Sequence, residues 1–528
     1  MTFERASLGL FAAALLGVFG ALGGAFVRAI DTGATPTGAV HAIESPRASV
    51  GAQAGAASVV SDLAHLAEDA LVIASNRGPV NFAEGASGAI EVRRAGGGLA
   101  TGLAPLVENR SNVTWIASAV DGVDLRAART RVPTPGFNMR YVTMDPARYD
   151  LAYNHVANEA LWFAAHGFWD GVRAPRFDAT FRDAWKAFRE LNRKFAGAID
   201  RAAPEGGTVL VQDYHLPLVG DLLRERRPDL RTVHFTHTPF GGPDEMRRLP
   251  AAVSEELLHG MAGFDAAGFH TKRWATRYEQ SSNELIVRAA ATYVAPLGID
   301  PDNVRRIATS AEADRWVQDL RAIVGDRMVI SRTDRIELSK NIVSGFNAYD
   351  DMLERHPELR NRVSFVASIF PSREAVEEYG KYSKQIEATV DRINQKYGTA
   401  DWQPIVLFND ASNMPRAMAG LRIADAVLIN PVRDGLNLVA KEGAVVNENH
   451  AALVLSRETG FFDELAAAGK GDAVLGINPF DETETSDALY RALTMPKRTR
   501  TRMAKQLRGA VEARGPEHWL RDQLHAAR

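Results

Sequence analysis

Two acids, two asparagines and a lysine gather around one glycine in the stretch Asn430-Pro431-Val432-Arg433-Asp434-Gly435-Leu436-Asn437-Leu438-Val439-Ala440-Lys441-Glu442. Carboxylates at this spacing can accept hydrogen bonds from sugar or ribose hydroxyls, and N–H groups at the start of a helix can bind phosphate. An ordinary strand-to-helix connection is the plainer alternative for the same residues. A second group, Arg335 and Lys340, lies five apart in a loop entering a helix, a natural clamp for a diphosphate. A third pair, Asp213 and His237, follows two apolar runs. It can be an acid/base pair, two substrate hydrogen-bonders or a structural ion pair.

The elements that must position these residues alternate between strand and helix. The run Ala426-Val427-Leu428-Ile429 reads as a buried parallel strand, which Pro431 stops because it has no N–H to give to the ladder. Gly435 is expected to permit a tight turn, and Asn437 is expected to cap a helix starting at Leu438. Glu442 then falls about one turn into that helix. Further strands are expected at 71–74, 113–117, 208–211, 233–236, 328–331, 363–367, 404–408 and 452–455. Asp213 and His237 then stand at strand carboxyl ends, where open α/β sheets bind ligands. The loop Ala95-Gly96-Gly97-Gly98-Leu99 either brings backbone close to a ligand or makes a plain tight turn. Tyr153–His166 is expected as one helix, on which Tyr153 and Trp162 need not share a face.

At 528 residues the chain is too long for one core, so at least two domains are expected. With 46% hydrophobic residues, 24% charged residues and a net charge of −3, nothing global draws it to nucleic acid or an anionic membrane. The absence of cysteine excludes disulfides, a thiolate nucleophile and Cys-containing metal sites. The first 68 residues differ from the rest. Ala6–Val27 is uncharged, apolar and diluted by five glycines, and 31–60 has the composition of a disordered linker. A membrane anchor and a passive extension are both open readings.

In chain order, nine short motifs resemble those of the retaining trehalose-6-phosphate synthases. They are S-N-R at 75–77, G-G-L at 97–99, Y-N…N…L-W at 153–162, D-Y-H-L at 213–216 and H-T-P-F at 237–240. P-L-G-I-D at 296–300, D-R…S-K at 334–340, P-S-R at 371–373 and D-G-L-N-L-V-A-K-E at 434–442 follow. The resemblance covers about residues 70–525. It implies the GT-B fold, an α/β arrangement of two Rossmann-like domains facing a central cleft. The implied division is a hydrophobic and disordered extension over 1–68, an acceptor domain over 69–320 and a nucleotide-sugar domain over 321–490. Helices over 491–528 would return to the N-terminal domain.

The resemblance also implies roles. Arg335 and Lys340 would bind the donor diphosphate, Asp434 the donor glucose and Glu442 the ribose, while Asn437 and Leu438 offer backbone amides. Gly98 would let backbone approach the diphosphate, and His237 would hold the donor glucose. Asp213 would hold the acceptor sugar, Arg77, Tyr153 and Arg373 its phosphate, and Trp162 would wall the site. Asp213, His237, Arg335 and Lys340 form the implied catalytic set. The implied reaction transfers glucose from UDP- or GDP-glucose to glucose 6-phosphate with retention, without metal or cofactor, the nucleotide sugar being a substrate.

Several departures fall mainly in or near the acceptor half. Lys340-Asn341 replaces K-G, Ile336-Glu337-Leu338 replaces L-D-Y, and Gly241-Gly242-Pro243-Asp244 replaces the end of a P-F-P-x-x-E segment. Small residues at Ala117-Ser118-Ala119 stand where an acceptor-side Trp is expected. Glycerol 3-phosphate as acceptor, or an inactive regulatory homologue that binds sugar phosphates, are therefore the competing readings. Expected partners are small-molecule substrates and no nucleic acid. A membrane engaged through 6–27 and a second copy of the chain stay open. The expected location is cytoplasmic, the alternative being a membrane-anchored chain with its catalytic part in the cytoplasm.

Overall fold

The computed structural model describes residues 70–528 except 86–87, 169–174 and 374. The extension expected over 1–68, with its apolar run Ala6–Val27, lies outside the described residues. Among the described residues no helix is long and apolar enough to cross a membrane.

Fifteen strands are described. The first nine are β1 Leu71–Ser75, β2 Val80–Glu84, β3 Ile90–Arg94, β4 Val113–Ser118, β5 Asn138–Val142, β6 Thr208–Gln212, β7 Arg231–Thr236, β8 Ala266–Phe269 and β9 Ala291–Val294. The rest are β10 Met328–Arg335, β11 Val363–Phe370, β12 Ile405–Asn409, β13 Ala426–Ile429, β14 Ala452–Ser456 and β15 Leu475–Ile477. Strands β2 and β3 pair as an antiparallel hairpin. All other pairs are parallel and form a seven-stranded sheet, β5-β4-β1-β6-β7-β8-β9, and a six-stranded sheet, β12-β11-β10-β13-β14-β15. The apolar runs are continuous rather than alternating because helices cover both faces, so every residue of β1, β6 and β13 is buried.

Both sheets are doubly wound. In each the first strand is central, flanked by the next core strand on one side and by a later one on the other. The reversals fall between β1 and β6 and between β10 and β13. A crevice opens at such a reversal, outside the strands' carboxyl ends. Ser75-Asn76-Arg77 and Asp213 lie at the first reversal, and Arg335 and Asn430 at the second.

One apolar cluster runs from the first sheet into the second, joining Leu71, Trp115 and Phe235 to Leu421, Ile429 and Leu455. The two helices near the C-terminus divide their packing. Lys497–Glu512 lies on helix Leu438–Val446 of the second sheet, whereas Pro516–Ala526 crosses to β7 and helix Gly98–Val107 of the first. There Gln523 Oε1 accepts from Gln212 Nε2 at 2.9 Å, and Trp519 is fully buried.

The expected single α-helix over Tyr153–His166 differs in kind. Leu151–Leu161 is π-helical and only Trp162–His166 is α-helical. Nine residues make two and a half turns of an α-helix but close to two turns at about 4.4 residues per turn, the wider winding of i→i+5 bonding. Tyr153 and Trp162 are thereby brought to the same side, and both lie near Arg373.

Candidate active site

The carboxyl-end loops of the two sheets meet. Tyr214, after β6, accepts a hydrogen bond at its hydroxyl from Arg373 Nη2 at 3.2 Å, after β11. Arg433, after β13, reaches Glu245 at 3.0 Å. Gly435 lies so close to the first sheet that a Cβ there would fall 2.0 Å from the His237 carbonyl oxygen. The chain bends at this glycine, and the close approach is what leaves no room for a side chain. The positive φ of the stretch, 84°, belongs to Asn437.

On the second sheet's side, Arg335 ends β10 and Lys340 ends a single 3-10 turn, Leu338–Lys340. Lys340 Nζ donates to Asp434 Oδ2 at 2.7 Å and lies 3.6 Å from Asp334 Oδ1. Burial alone would lower the Lys340 pKa, but Asp434 and Asp334 outweigh it and hold the ammonium above its ordinary value. Arg335 is half exposed, with Nε 3.2 Å from Glu337 Oε1. Asn437 caps helix Leu438–Val446 as expected, its Oδ1 accepting from Ala440 N–H at 3.0 Å, while its Nδ2 donates to Asp434 at 3.2 Å. Gly98 opens helix Gly98–Val107 directly against Leu438, where a Cβ would stand 2.7 Å from Leu438 Cδ1.

Glu442 has no countercharge among the described residues, and burial pushes its carboxyl up to about 7. A carboxylate left without a partner in a cleft can accept from a vicinal diol. The folded-state value lies above that of an unfolded glutamate, so protonation favours the folded chain. That stabilisation is complete below about pH 4 and is lost as pH rises through 7. Glu442→Gln, neutral throughout, is therefore expected to raise the Tm by roughly 2–5 °C at pH 8 and hardly at pH 4, while weakening nucleoside diphosphate binding. Thermal melts at the two pH values, with UDP and GDP titrations, check both halves.

Two further cationic groups, Arg77 after β1 of the first sheet and Arg373 after β11 of the second, rest on aromatic rings. Arg373 lies 4.6 Å over the Trp162 ring and donates to the Tyr379 hydroxyl at 2.9 Å. Arg77 is exposed and stands 5.9 Å over Tyr153, whose ring stacks between Tyr149 and His215. Burial would raise the Tyr153 pKa, but Arg77, Asn158 and Arg373 bring it below its ordinary value. His215 is neutral, its pKa pushed down to about 3 by burial and by Arg373 and Arg77.

Between the two sides, Asp213 accepts from the His237 backbone N–H at 3.1 Å. Burial pushes its carboxyl up to about 6 against these hydrogen bonds and the pull of Arg373 and Arg335. The His237 ring does not pair with Asp213. Its Nε2 meets Gln212 Oε1 at 3.1 Å, it packs on His270 and Trp519, and burial pushes it down to about 3, so it is neutral. Four of the nine non-glycine residues with positive φ among the described residues border this cleft: Asp213, Asn341, Arg373 and Asn437. Each such residue costs about 1–3 kcal/mol, a strain that concentrates where side chains must be aimed.

Residue types at strand ends did not single out Tyr214, Tyr379, Glu337, Asp334 or Arg332, which hold the arginines and the lysine in place. Asp334 and Glu337 flank Arg335 in sequence and carried a signal. Tyr379 lies inside helix Glu377–Tyr397 and carried none.

Two doubly wound parallel sheets meeting at their carboxyl ends, with cations and carboxylates on the loops between them, define a GT-B glycosyltransferase architecture. Solved structures share it. One from E. coli, bound with UDP-2-fluoro glucose, is 26% identical with a TM-score of 0.73, over 85% of this chain and 96% of that one. The chain belongs to glycosyltransferase family 20, whose profile matches residues 69–528. It is 31% identical to an Aspergillus niger alpha,alpha-trehalose-phosphate synthase [UDP-forming] 2, over 83% of this chain and 92% of the relative. It is 30% identical to a Thermoproteus tenax bifunctional trehalose-6-phosphate synthase/phosphatase over 86% of its length, but spans only 63% of that longer protein.

Proposed function

We propose that this chain transfers glucose, with retention, from a nucleoside diphosphate glucose to glucose 6-phosphate, forming α,α-trehalose 6-phosphate. The observation that carries the reading is a pair of cationic sites in one cleft. At one, Lys340 pairs with Asp434 and Arg335 ends β10 close by; at the other, Arg77 from the first sheet and Arg373 from the second stand over Tyr153 and Trp162. A diphosphate leaving group and a phosphorylated acceptor each need such a site, and the names of the relatives agree with this pairing.

In this mechanism the Lys340 ammonium and the Arg335 guanidinium neutralise charge that develops on the departing diphosphate. Asp434 and Glu442 accept from sugar and ribose hydroxyls. Asp213, largely ionised above pH 6, accepts from an acceptor hydroxyl. His237 is neutral and enters as a hydrogen-bonding group rather than as an acid. The leaving phosphate takes the acceptor's proton on the face from which it departs. The cations do the work of a metal, so activity is expected to persist in chelator. The reaction is assigned to the cytoplasm, where nucleotide sugars and glucose 6-phosphate occur.

A second reading, with glycerol 3-phosphate as acceptor, has its own support. Small residues at Ala117-Ser118-Ala119 stand where the family is expected to place a Trp, and the Ser118 hydroxyl donates to Asn76 Oδ1 at 3.0 Å while Asn76 Nδ2 donates to the Tyr149 hydroxyl at 3.0 Å. A product assay crossing UDP- and GDP-glucose with glucose 6-phosphate and glycerol 3-phosphate, run with and without chelator, separates the readings. No product from any combination would sink both. Loss of activity in chelator, restored only by metal, would sink the cation mechanism.

Arg373→Ala is expected to raise KM for the phosphorylated acceptor about a hundredfold, with a smaller effect on kcat, because a phosphate remote from the reacting bond is bound nearly equally before and at the transition state. Steady-state kinetics in each substrate check this. An effect confined to the donor would reverse the assignment of the two sites.

A further inference from the structure

Arg332 has no part in the reaction as drawn, yet it is the largest charged side chain with no exposure among the described residues. Its guanidinium spans the reversal of the second sheet. Nε donates to Asp334 Oδ2 at 2.9 Å, Nη1 donates to Asn430 Oδ1 at 2.8 Å, and Nη2 donates to the Lys340 carbonyl oxygen. Asn430 Nδ2 in turn donates to the Asn341 carbonyl at 3.2 Å, and Asn341 Nδ2 to the Pro479 carbonyl at 2.8 Å. The helix following this loop carries Gly345, where a Cβ would fall 2.6 Å from Arg332 Nη1. The loop ending at Lys340 is thus tied from beneath by one buried cation, and the helix beside it has left room for that cation.

Charge gives the arrangement a second consequence. Lys340 Nζ lies between two carboxylates, Asp434 at 2.7 Å and Asp334 at 3.6 Å. Asp334 is buried, and its other oxygen is the one Arg332 engages. Without that guanidinium, Asp334 would be a buried anion whose nearest cation is Lys340, and it would draw the ammonium inward and away from the cleft.

We propose that Arg332 is a positioning residue for Lys340: it fixes the lysine's backbone carbonyl and takes up the charge of Asp334, so that the ammonium is delivered to Asp434 and to the donor diphosphate. The proposal rests on the donor reading above, in which Lys340 meets the diphosphate.

A double substitution separates this role from packing. Arg332→Met removes the guanidinium and leaves Asp334 to compete for Lys340. UDP affinity, or GDP affinity where the wild type prefers GDP, is expected to fall at least tenfold, and kcat up to about a hundredfold, the scale of a displacement near 1 Å. Adding Asp334→Asn removes the competing charge, and the R332M/D334N protein is expected to recover at least tenfold in kcat with acceptor KM unchanged. A purely structural role for Arg332 would give no such rescue.

Wild-type affinity and kcat in Arg332→Met, or a double variant no better than the single one, would overturn the proposal. Where Arg332→Met alone does not fold, the double variant decides. Folding with nucleotide affinity within tenfold of wild type supports the role, and failure to fold overturns it. Wild-type protein that binds neither UDP nor GDP would overturn the donor reading and this proposal together, whereas normal wild-type binding with an indifferent Arg332→Met would overturn this proposal alone.

Discussion

Lys340→Ala is expected to lower kcat for glucosyl transfer about a hundredfold or more, the scale for removing one preorganised charge stabiliser from a transition state. The ammonium stands at the carboxyl end of the second sheet, 2.7 Å from Asp434, and is charged at any working pH because its two carboxylate neighbours outweigh its burial. Charge on a leaving diphosphate grows as the glycosidic bond breaks, so the missing interaction is one the substrate complex makes less fully than the transition state. Acceptor KM should change little. The substitution also leaves Asp434 buried without its cation, whereas Asp334 keeps Arg332, and breaking a buried pair costs about 3–5 kcal/mol, so the Tm falls as well. Kinetics measured well below the lowered Tm separate the two effects. A kcat within threefold of wild type there would make Lys340 a structural counter-ion to Asp434 and remove it from the mechanism.

Gly435→Ala is expected to lower kcat/KM for the donor by roughly a hundredfold while leaving the secondary structure intact. The added methyl would sit 2.0 Å from the His237 carbonyl oxygen and about 3 Å from the Thr238 backbone carbon, and neither is the end of a flexible side chain. The surroundings leave little slack. Trp274 Nε1 donates to the Gly435 carbonyl at 3.1 Å, and Gly460 lies so near that a Cβ there would fall 2.0 Å from the same oxygen. The two loops must then part, which displaces Asp434 from Lys340 on one side and His237 from Asp213 on the other. Circular dichroism with donor-dependent kinetics tests this. A variant with wild-type kcat/KM would mean that the loops open without consequence for the reaction.

Most strands of the two sheets were legible in the sequence for a local reason, whereas β5, β8, β9 and β15 were not singled out. Short apolar runs ended by proline, glycine or polar residues are what a parallel strand covered on both faces must contain, as at Leu71–Ser75 and Ala426–Ile429. The cap at Asn437 was legible because a capping side chain bonds within three residues of itself. The residue types of the cleft were legible because they stand at strand ends.

Other features depend on partners far along the chain. The winding of Leu151–Leu161 was not legible, because i→i+5 bonding uses the same residue types as an α-helix. Gly435 reads as a turn residue in sequence, yet its need for a missing Cβ comes from a carbonyl almost two hundred residues earlier. The His237 ring pairs with Gln212, itself held by Gln523 from the far end of the chain, so its proximity to Asp213 in sequence pattern did not make the two side chains a pair.

By itself, then, the sequence determined which residues could bind phosphate and hydroxyl groups and on which strand ends they stand, because propensity, capping and burial act over a few neighbouring residues. Only the tertiary structure decided which charges meet. Lys340 finds Asp434, Arg373 finds Tyr214 and Arg332 finds Asn430 across separations of 94, 159 and 98 residues. Coulomb and hydrogen-bond energies are set by distances of a few ångströms. Those distances are set by the winding of each sheet and by how the carboxyl-end loops of the two meet, which no local pattern encodes.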